Sequence, residues 1–348
     1  MNDTHLLFMK RALDLASLGG REVMPNPQVG CVIVYNHQII GEGYHREFGG
    51  PHAEVHAILS VKNPEWLKLS TLYVTLEPCS HFGKTPPCAN LIINSGIRKV
   101  VIGSQDPNPL VSGNGIKLLK EAGIDVVSGV MDTENRTLNT RFFTFHEKKR
   151  PYVILKWAQS ADGFLDKNRS DPNEPPEWIT DEYCRTLVHQ WRSREQSIVV
   201  GSKTILMDNP KLDVRNWTGK NPIRIIIAGK TIFSNKTNIL NGLTKTYIFT
   251  SNSNYPKTQN VEIIFMPNYS AKAILTRIYE LKIQSVFIEG GKKTLDIFLT
   301  ENLWDEARVF TGKSCFFEGL KSPELDKHLL SISTIHQEIT LDYFSNKK

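Results

Sequence analysis

Apolar and polar residues alternate along this chain in two rhythms, and the switches between them mark out its elements. Across residues 4–18 the apolar positions Leu6, Met9, Leu13 and Ala16 recur at helical spacing. Asp3 or Thr4 can cap that stretch and Gly19-Gly20 ends it, so a first amphipathic helix is predicted. The short apolar run 29–35 is followed by Asn36-His37-Gln38 and a second run at 39–43, the pattern of a strand pair. Strands are predicted next at 72–76, 99–103 and 124–127. Helices are predicted from near His52, from near Cys88, over 116–121 and over 133–145. This first half is an α/β unit around a sheet of about five strands.

The rhythm restarts after a basic run. Lys148-Lys149-Arg150-Pro151 reads as a linker, because the residue before proline resists continuing a helix. Domains are therefore expected over 1–147 and 148–348. The second half carries strands at 152–157, 197–201, 223–227, 246–250 and 285–289, with helices over 181–194 and 271–281 and another from about 292. It too is α/β. The proline-rich stretch 171–177 reads as a loop, and no internal repeat is present.

Composition agrees with two ordinary folded domains: 348 residues, 40% hydrophobic and 22% charged. A net charge of +6, spread along the chain apart from the 148–150 run, favours anionic small molecules without demanding nucleic acid. Five scattered cysteines do not suggest a disulfide framework, and reduced thiols fit a cytoplasmic setting. Lys10, Arg11 and Asp14 interrupt what a secretory signal would need, and no run approaches the roughly 20 apolar residues of a membrane helix.

The chemistry concentrates in His52-Ala53-Glu54, Pro78-Cys79 and Pro86-Pro87-Cys88. Zinc takes imidazole and thiolate, and a catalytic zinc keeps three protein ligands and one open position. His52, Cys79 and Cys88 supply three, and zinc lowers the pKa of water at the fourth. Glu54, two residues past the histidine, can move a proton between that water and a leaving amine. Zinc deaminases of nucleobases share His-x-Glu but follow it with Pro-Cys-x-x-Cys, whereas here eight residues separate the two cysteines. A structural zinc clip is the alternative, with His56 or His81 as its fourth ligand, but a clip leaves Glu54 without a purpose. His56 reads better as a hydrogen-bonded helix residue.

The motifs extend well beyond the metal. Residues 51–57 (PHAEVHA), 74–81 (VTLEPCSH) and 83–88 (GKTPPC), with 25–31 (PNPQVGC) and 105–109 (QDPNP), resemble the deaminase half of the bifunctional riboflavin-biosynthesis RibD family. The resemblance implies a cytidine-deaminase-like three-layer domain that deaminates 2,5-diamino-6-(5-phosphoribosylamino)pyrimidin-4(3H)-one. It also implies substrate roles: Lys84 for phosphate, Asp106 and Asn108 for the phosphoribosyl arm, Asn26 for a pyrimidine edge and His45 in the pocket wall. Asn26 and Asp106 also sit beside prolines, where ordinary turn residues occur.

In the second half no Gly-x-Gly-x-x-Gly follows a strand, so a Rossmann site is unsupported; Gly41-Glu-Gly43 fails because Arg46 stands at the third position. Residues 155–163 (LKWAQSADG), 178–180 (WIT), 201–204 (GSKT) and 208–212 (DNPKL), with Arg192 and Arg215, are similar to the reductase half of the same family. That similarity implies a dihydrofolate-reductase-like fold, NADPH, and reduction of the ribosyl group to ribityl. It implies Lys156 and Glu289 at the hydride site, and Ser160, Arg192, Leu212 and Arg215 toward substrate. Ala158, Trp178, Thr204, Asp208, Gly290 and Gly291 fall toward NADPH. Cys184 and Cys315 read as ordinary buried thiols, and the family suggests a homo-oligomer. Two other classes fit less well: a nucleic-acid base deaminase with a fused RNA-binding domain, whose Pro-Cys-x-x-Cys spacing and basic face are missing here, and an inactive zinc-stabilised binding protein, against which Glu54 argues.

Overall fold

A computed structural model describes residues 3–80, 87–109, 111–252, 254–255 and 259–346. The chain divides into two compact units, Met1–Lys149 and Arg150–Lys348.

The first unit runs α1 (Asp3–Ser17), β1 (Gly30–Tyr35), β2 (Gln38–Tyr44), α2 (Ala53–Leu59), β3 (Thr71–Leu76), α3 (Cys88–Asn94), β4 (Lys99–Ser104), α4 (Asn114–Glu121), β5 (Asp125–Ser128), α5 (Asp132–Leu138) and α6 (Thr140–Lys148). Its sheet has the order β2-β1-β3-β4-β5, antiparallel across β2-β1-β3 and parallel across β3-β4-β5. Asn36 and His37, at φ 47° and 61°, form the two-residue turn between β1 and β2, a backbone that asparagine tolerates well. Alternation then sorts the strand residues. Cys31, Ile33, Leu72, Val74, Val100 and Ile102 face Ala53 and Ala57 of α2, Ala89 and Ile92 of α3 and Leu119 of α4. Val32, Val34, Tyr73 and Val101 face Phe8, Met9, Ala12 and Leu15 of α1. Helices cover both faces, which is why these strands read as continuous apolar runs. Gly43 lets α2 lie close on β2, since a Cβ there would stand 2.5 Å from Ala53 O and from Ala57 N.

The expected helix over 133–145 is two helices, broken at Asn139. The Asn139 side-chain amide accepts from Gln28 N (2.8 Å) and donates to Gln28 O (2.9 Å), while its backbone N–H still bonds Asn135 O (3.1 Å). The basic run expected as linker instead begins inside α6: Lys148 ends that helix and Lys149 closes it in the left-handed region, φ 54°.

The second unit comprises β6 (Tyr152–Gln159), β7 (Phe164–Asp166), α7 (Glu182–Arg194), β8 (Ser197–Gly201), α8 (Ser202–Asp208), β9 (Ile223–Gly229), β10 (Thr246–Thr250), β11 (Val261–Phe265), α9 (Ala271–Glu280), β12 (Ser285–Ile288), α10 (Lys292–Thr300), β13 (Glu306–Thr311), β14 (Leu320–Lys321), β15 (Leu330–His336) and β16 (Ile339–Ser345). Nine strands form one sheet, β11-β10-β9-β8-β12-β6-β13-β16-β15, parallel as far as β13 and antiparallel beyond. One face packs Val153, Leu155 and Val199 on Ile274 and Ile278 of α9 and Phe298 of α10. The other packs Ile154, Phe287 and Phe310 on Val188 and Trp191 of α7. Strand β13, flanking β6 on the side away from β12, escaped the sequence reading because Arg308 interrupts its apolar run. Arg308 is nevertheless buried, its guanidinium 4.6 Å from the Trp191 ring centre and its Nε 2.6 Å from Glu306 Oε1. Cys184 is buried as expected; Cys315 is exposed, contrary to expectation, in the loop after β13.

Candidate active sites

In the first unit two helix starts and one strand end converge. His52 is the residue before α2, Cys79 follows β3, and Cys88 opens α3. His52 Nδ1 lies 3.3 Å from Cys88 Sγ and 3.6 Å from Cys79 Sγ, and the three ligand atoms fall within 4.8 Å of one another. Backbone N–H of Cys88 donates to Cys79 Sγ at 3.3 Å. Hydrogen bonding to Cys88 and His52 holds the Cys79 thiol well below its ordinary pKa, whereas the same contact and burial push Cys88 up. Two sulfurs and one imidazole nitrogen at this spacing are a donor set suited to zinc, with a fourth position left for another ligand. His56 stands outside the group; its Nε2 is buried and has no hydrogen-bond partner among the described residues.

Glu54, in the first turn of α2, is 3% exposed. Burial raises its carboxyl above the ordinary glutamate value, against the opposing pull of His52. Cys31 lies near it in the core and stays a thiol, raised by burial and then by the Glu54 charge.

The expected substrate residues of this unit are partly committed to one another. His45 donates from Nδ1 to Pro51 O (3.0 Å), and Asn26 Nδ2 donates to His45 Nε2 (3.1 Å). Burial lowers the His45 pKa, consistent with the neutral ring this pattern needs. Both ring nitrogens are thus occupied, so His45 orients Asn26, leaving the Asn26 carbonyl oxygen outside that contact. The His45 ring also meets His52 edge-on at 5.4 Å. Asp106 is buried, and burial, with Glu77 and Cys79 nearby, pushes its carboxyl up to about 7. Asn108 N donates to Asp106 Oδ1 at 2.7 Å. Lys84 and His81 lie outside the described residues.

In the second unit a cleft of about 1080 Å³ opens along the ends of the parallel strands. It gathers Lys156 and Ala158 of β6, Thr204 and Asp208 of α8, and Glu289 and Gly291 at the start of α10. Gly290 adjoins it, and a Cβ there would meet Val200 at 2.7 Å. Gly291 has φ 64°, the backbone that turns the chain into α10. Glu289 receives both arms of Arg192, Nε to Oε1 and Nη2 to Oε2, each at 2.6 Å. Burial would raise the Glu289 carboxyl; Arg192 and then Lys156 bring it below the ordinary value. Lys156 is itself lowered by burial, with Glu289 opposing and Arg192 reinforcing.

Besides Gly290, five expected residues do not line this cleft. Arg192 is turned into the Glu289 pair and also reaches Asp213 O at 3.2 Å, rather than standing open for phosphate. Arg215 pairs with Asp213 at 2.6 Å near the surface. Ser160 Oγ donates to Asp162 at 2.6 Å in a turn, Leu212 is buried in the core beside Ile205 and Ile226, and Trp178 is 64% exposed with Arg185 4.8 Å from its ring centre.

Comparison with known proteins accords with both sites. Residues 2–104 match the cytidine and deoxycytidylate deaminase zinc-binding region, and residues 151–316 match the RibD C-terminal domain. The riboflavin biosynthesis protein RibD of Aquifex aeolicus is 40% identical over 324 residues, covering 91% of this chain and 89% of the relative. The chain belongs to the RibD family. The Escherichia coli RibD is 35% identical, covering 87% of this chain and 86% of its own. Among solved structures, a diaminohydroxyphosphoribosylaminopyrimidine deaminase/5-amino-6-(5-phosphoribosylamino)uracil reductase from Thermotoga maritima superposes with TM-score 0.87 at 38% identity over 99% of each chain. RibD of Acinetobacter baumannii does so with TM-score 0.87 at 30% identity, again over 99% of each.

As a member of that family, the chain is a bifunctional enzyme of riboflavin biosynthesis, with a zinc-binding deaminase domain of the cytidine-deaminase-like class followed by an α/β reductase domain. The nucleic-acid alternative is not favoured. No helix among the described residues is long and apolar enough to cross a membrane. Sequence reasoning missed two residues that hold the sites together. Glu77 is a buried carboxylate among backbone N–H groups, and Arg169 ties the cleft wall together through Asp166 (2.8 Å) and Asp208 (2.6 Å). Arg169 lies at the edge of a proline-rich loop, where a charge reads as solvated, yet its side chain is 5% exposed.

Proposed function

We propose that the first unit removes the 2-amino group of 2,5-diamino-6-(5-phosphoribosylamino)pyrimidin-4(3H)-one as ammonia. The second unit then reduces the ribosyl group of the product with NADPH, giving 5-amino-6-(5-phosphoribitylamino)uracil. The observation that carries this reading is the His52/Cys79/Cys88 group with buried Glu54 two residues beyond the histidine. Those three residues would hold zinc, which supplies an activated water. Glu54 takes a proton at a carboxylate oxygen and returns it to the leaving amine; its raised pKa suits a group that must hold a proton between two steps. Asn26, held by His45, presents its carbonyl oxygen to the pyrimidine, and Asp106 and Asn108 take the phosphoribosyl arm, with Lys84 toward the phosphate.

In the second unit NADPH supplies the hydride. Ala158, Thr204, Asp208, Gly290 and Gly291 form its cradle, with Trp178 an expected neighbour from the loop before α7. Lys156 and Glu289 set the charge where hydride reaches C1′, and Arg192 fixes Glu289 as an anion. Ser160, Leu212 and Arg215 remain the proposed substrate-side residues. We also propose that the enzyme works in the cytoplasm as a homo-oligomer, on a small-molecule substrate and without nucleic acid.

The test is to supply the diaminopyrimidine phosphate with and without NADPH, following ammonia and NADPH together. Ammonia should appear in both cases and NADPH should be consumed only after it. NADPH oxidation that precedes or replaces ammonia release would overturn the assigned order.

A further inference from the structure

We propose that Glu77 is a positioning residue for substrate affinity: it holds the Asp106–Asn108 loop in place, and so governs KM rather than the chemical step. The proposal rests on the assignment of that loop to the phosphoribosyl arm.

Glu77 follows β3 and lies two residues before Cys79; its side chain is buried, with the residue 4% exposed. Its carboxylate accepts four backbone N–H groups. Oε2 receives Asp106 N at 3.2 Å and Gly113 N at 3.0 Å, while Oε1 receives Gly115 N at 2.9 Å and Ile116 N at 3.2 Å. The Glu77 backbone is fixed as well, with N donating to Ser104 O at 3.0 Å. Among the described residues no side-chain cation pairs with Glu77, so backbone amides are the partners that satisfy this buried charge. Such a ring of amides at a helix start is the arrangement that elsewhere cradles a bound anion. Here the protein's own carboxylate fills it, so the start of α4 is closed to the substrate phosphate.

The geometry of the loop shows what this carboxylate is for. Gly115 must be glycine for the first turn of α4 to reach it, since a Cβ there would stand 2.0 Å from Pro78 O. Gly113, at φ 76°, aims its N–H inward. Between these anchors the loop closes on itself through Asn108 N to Asp106 Oδ1 at 2.7 Å and Ser112 N to Asn108 O at 2.9 Å. The first anchor is the backbone of Asp106 itself. Glu77 therefore ties the segment that bears a metal ligand to the segment that bears the substrate-arm residues, without touching substrate.

Glu77→Gln tests this in the full chain. One oxygen becomes an NH2 group facing two N–H donors, so two of the four contacts are lost and two donors are left buried without acceptors. KM for the diaminopyrimidine phosphate should rise about tenfold, with kcat within about threefold of wild type, a split that marks lost ground-state binding. Zinc content and NADPH-dependent reduction should be unchanged, and hydrogen exchange at the amides of 106, 113, 115 and 116 should accelerate. Glu77→Asp, a shorter carboxylate, should fall between wild type and Glu77→Gln; it carries the test if Glu77→Gln does not fold. Unchanged KM and exchange would overturn the proposal. So would a fall in kcat that tracks zinc loss, which would make Glu77 a support for Cys79. If wild type fails to deaminate this substrate, the functional assignment falls, while exchange still decides whether Glu77 holds the loop.

Discussion

The two units each bury a glutamate at the site, and they tune it in opposite directions. Glu54 has His52 beside it, but thiol and thiolate groups are close too, and burial wins: its carboxyl is held above the ordinary value. Glu289 is somewhat less buried, its side chain 9% exposed, and Arg192 grips both oxygens while Lys156 adds a second cation, so its carboxyl is held below. Burial alone therefore predicts neither function nor protonation; the neighbours decide. A raised carboxyl can carry a proton between two atoms, whereas a depressed one is a fixed charge. The first suits hydrolytic deamination, where protons move at every step. The second suits hydride transfer, where positive charge at the accepting carbon must be balanced by a fixed anion, and the proton that accompanies the hydride comes from a different group.

That contrast can be broken most severely at Glu54. Glu54→Gln should cut the deamination kcat by roughly three orders of magnitude, the scale of a lost general acid–base, while zinc content and reduction persist. Ammonia release measured beside NADPH oxidation reads both; full deamination by a zinc-loaded Glu54→Gln chain would remove the proton-transfer role. Next in size is Arg192→Met, which strands a buried carboxylate. It should destabilise the second unit by about 3–5 kcal/mol, and pairing it with Glu289→Gln should recover much of that. Urea titration of the full chain, followed by hydrogen-exchange protection of β12, measures both variants. The smallest effect is a pH dependence. Because the folded Glu289 carboxyl lies below its ordinary value, its stabilising contribution is present above pH 4.5 and is lost as pH falls through the folded value. The stability gap between wild type and Glu289→Gln should narrow over that acid range; a gap that widened would mean that Glu289 is protonated in the fold.

Much of this was legible in the residues. Strand 246–250 and the helix start near His52 follow directly from apolar periodicity and from where the chain can begin a helix. The metal group was legible because zinc chemistry restricts the residue types so tightly. What escaped were interactions made by polar side chains with distant backbone. Asn139, between α5 and α6, pairs through its side chain with Gln28, and Glu77 gathers amides from 29 to 39 residues away. Arg308 hides in a strand by stacking on Trp191. Each looks like a solvated residue until the tertiary partner is known. Arg192 and Arg215 were legible as guanidinium groups suited to phosphate, but not the carboxylate each one pairs with in the fold, Glu289 and Asp213.

Strand β6 carries Lys156, and it lies between β12 and β13, both contributed by the last fifth of the chain. Val153 N reaches its acceptor on Asp305, 152 residues further on. Emerging from the ribosome, the first sheet is complete once residue 128 is out, and the deaminase unit can form while the other is still being made. The reductase's first strand has neither neighbour until translation nears its end. A chain interrupted after β6 and before β12 would keep the zinc site and present β6, mostly apolar and unpaired along both edges, to the cell's chaperones and proteases.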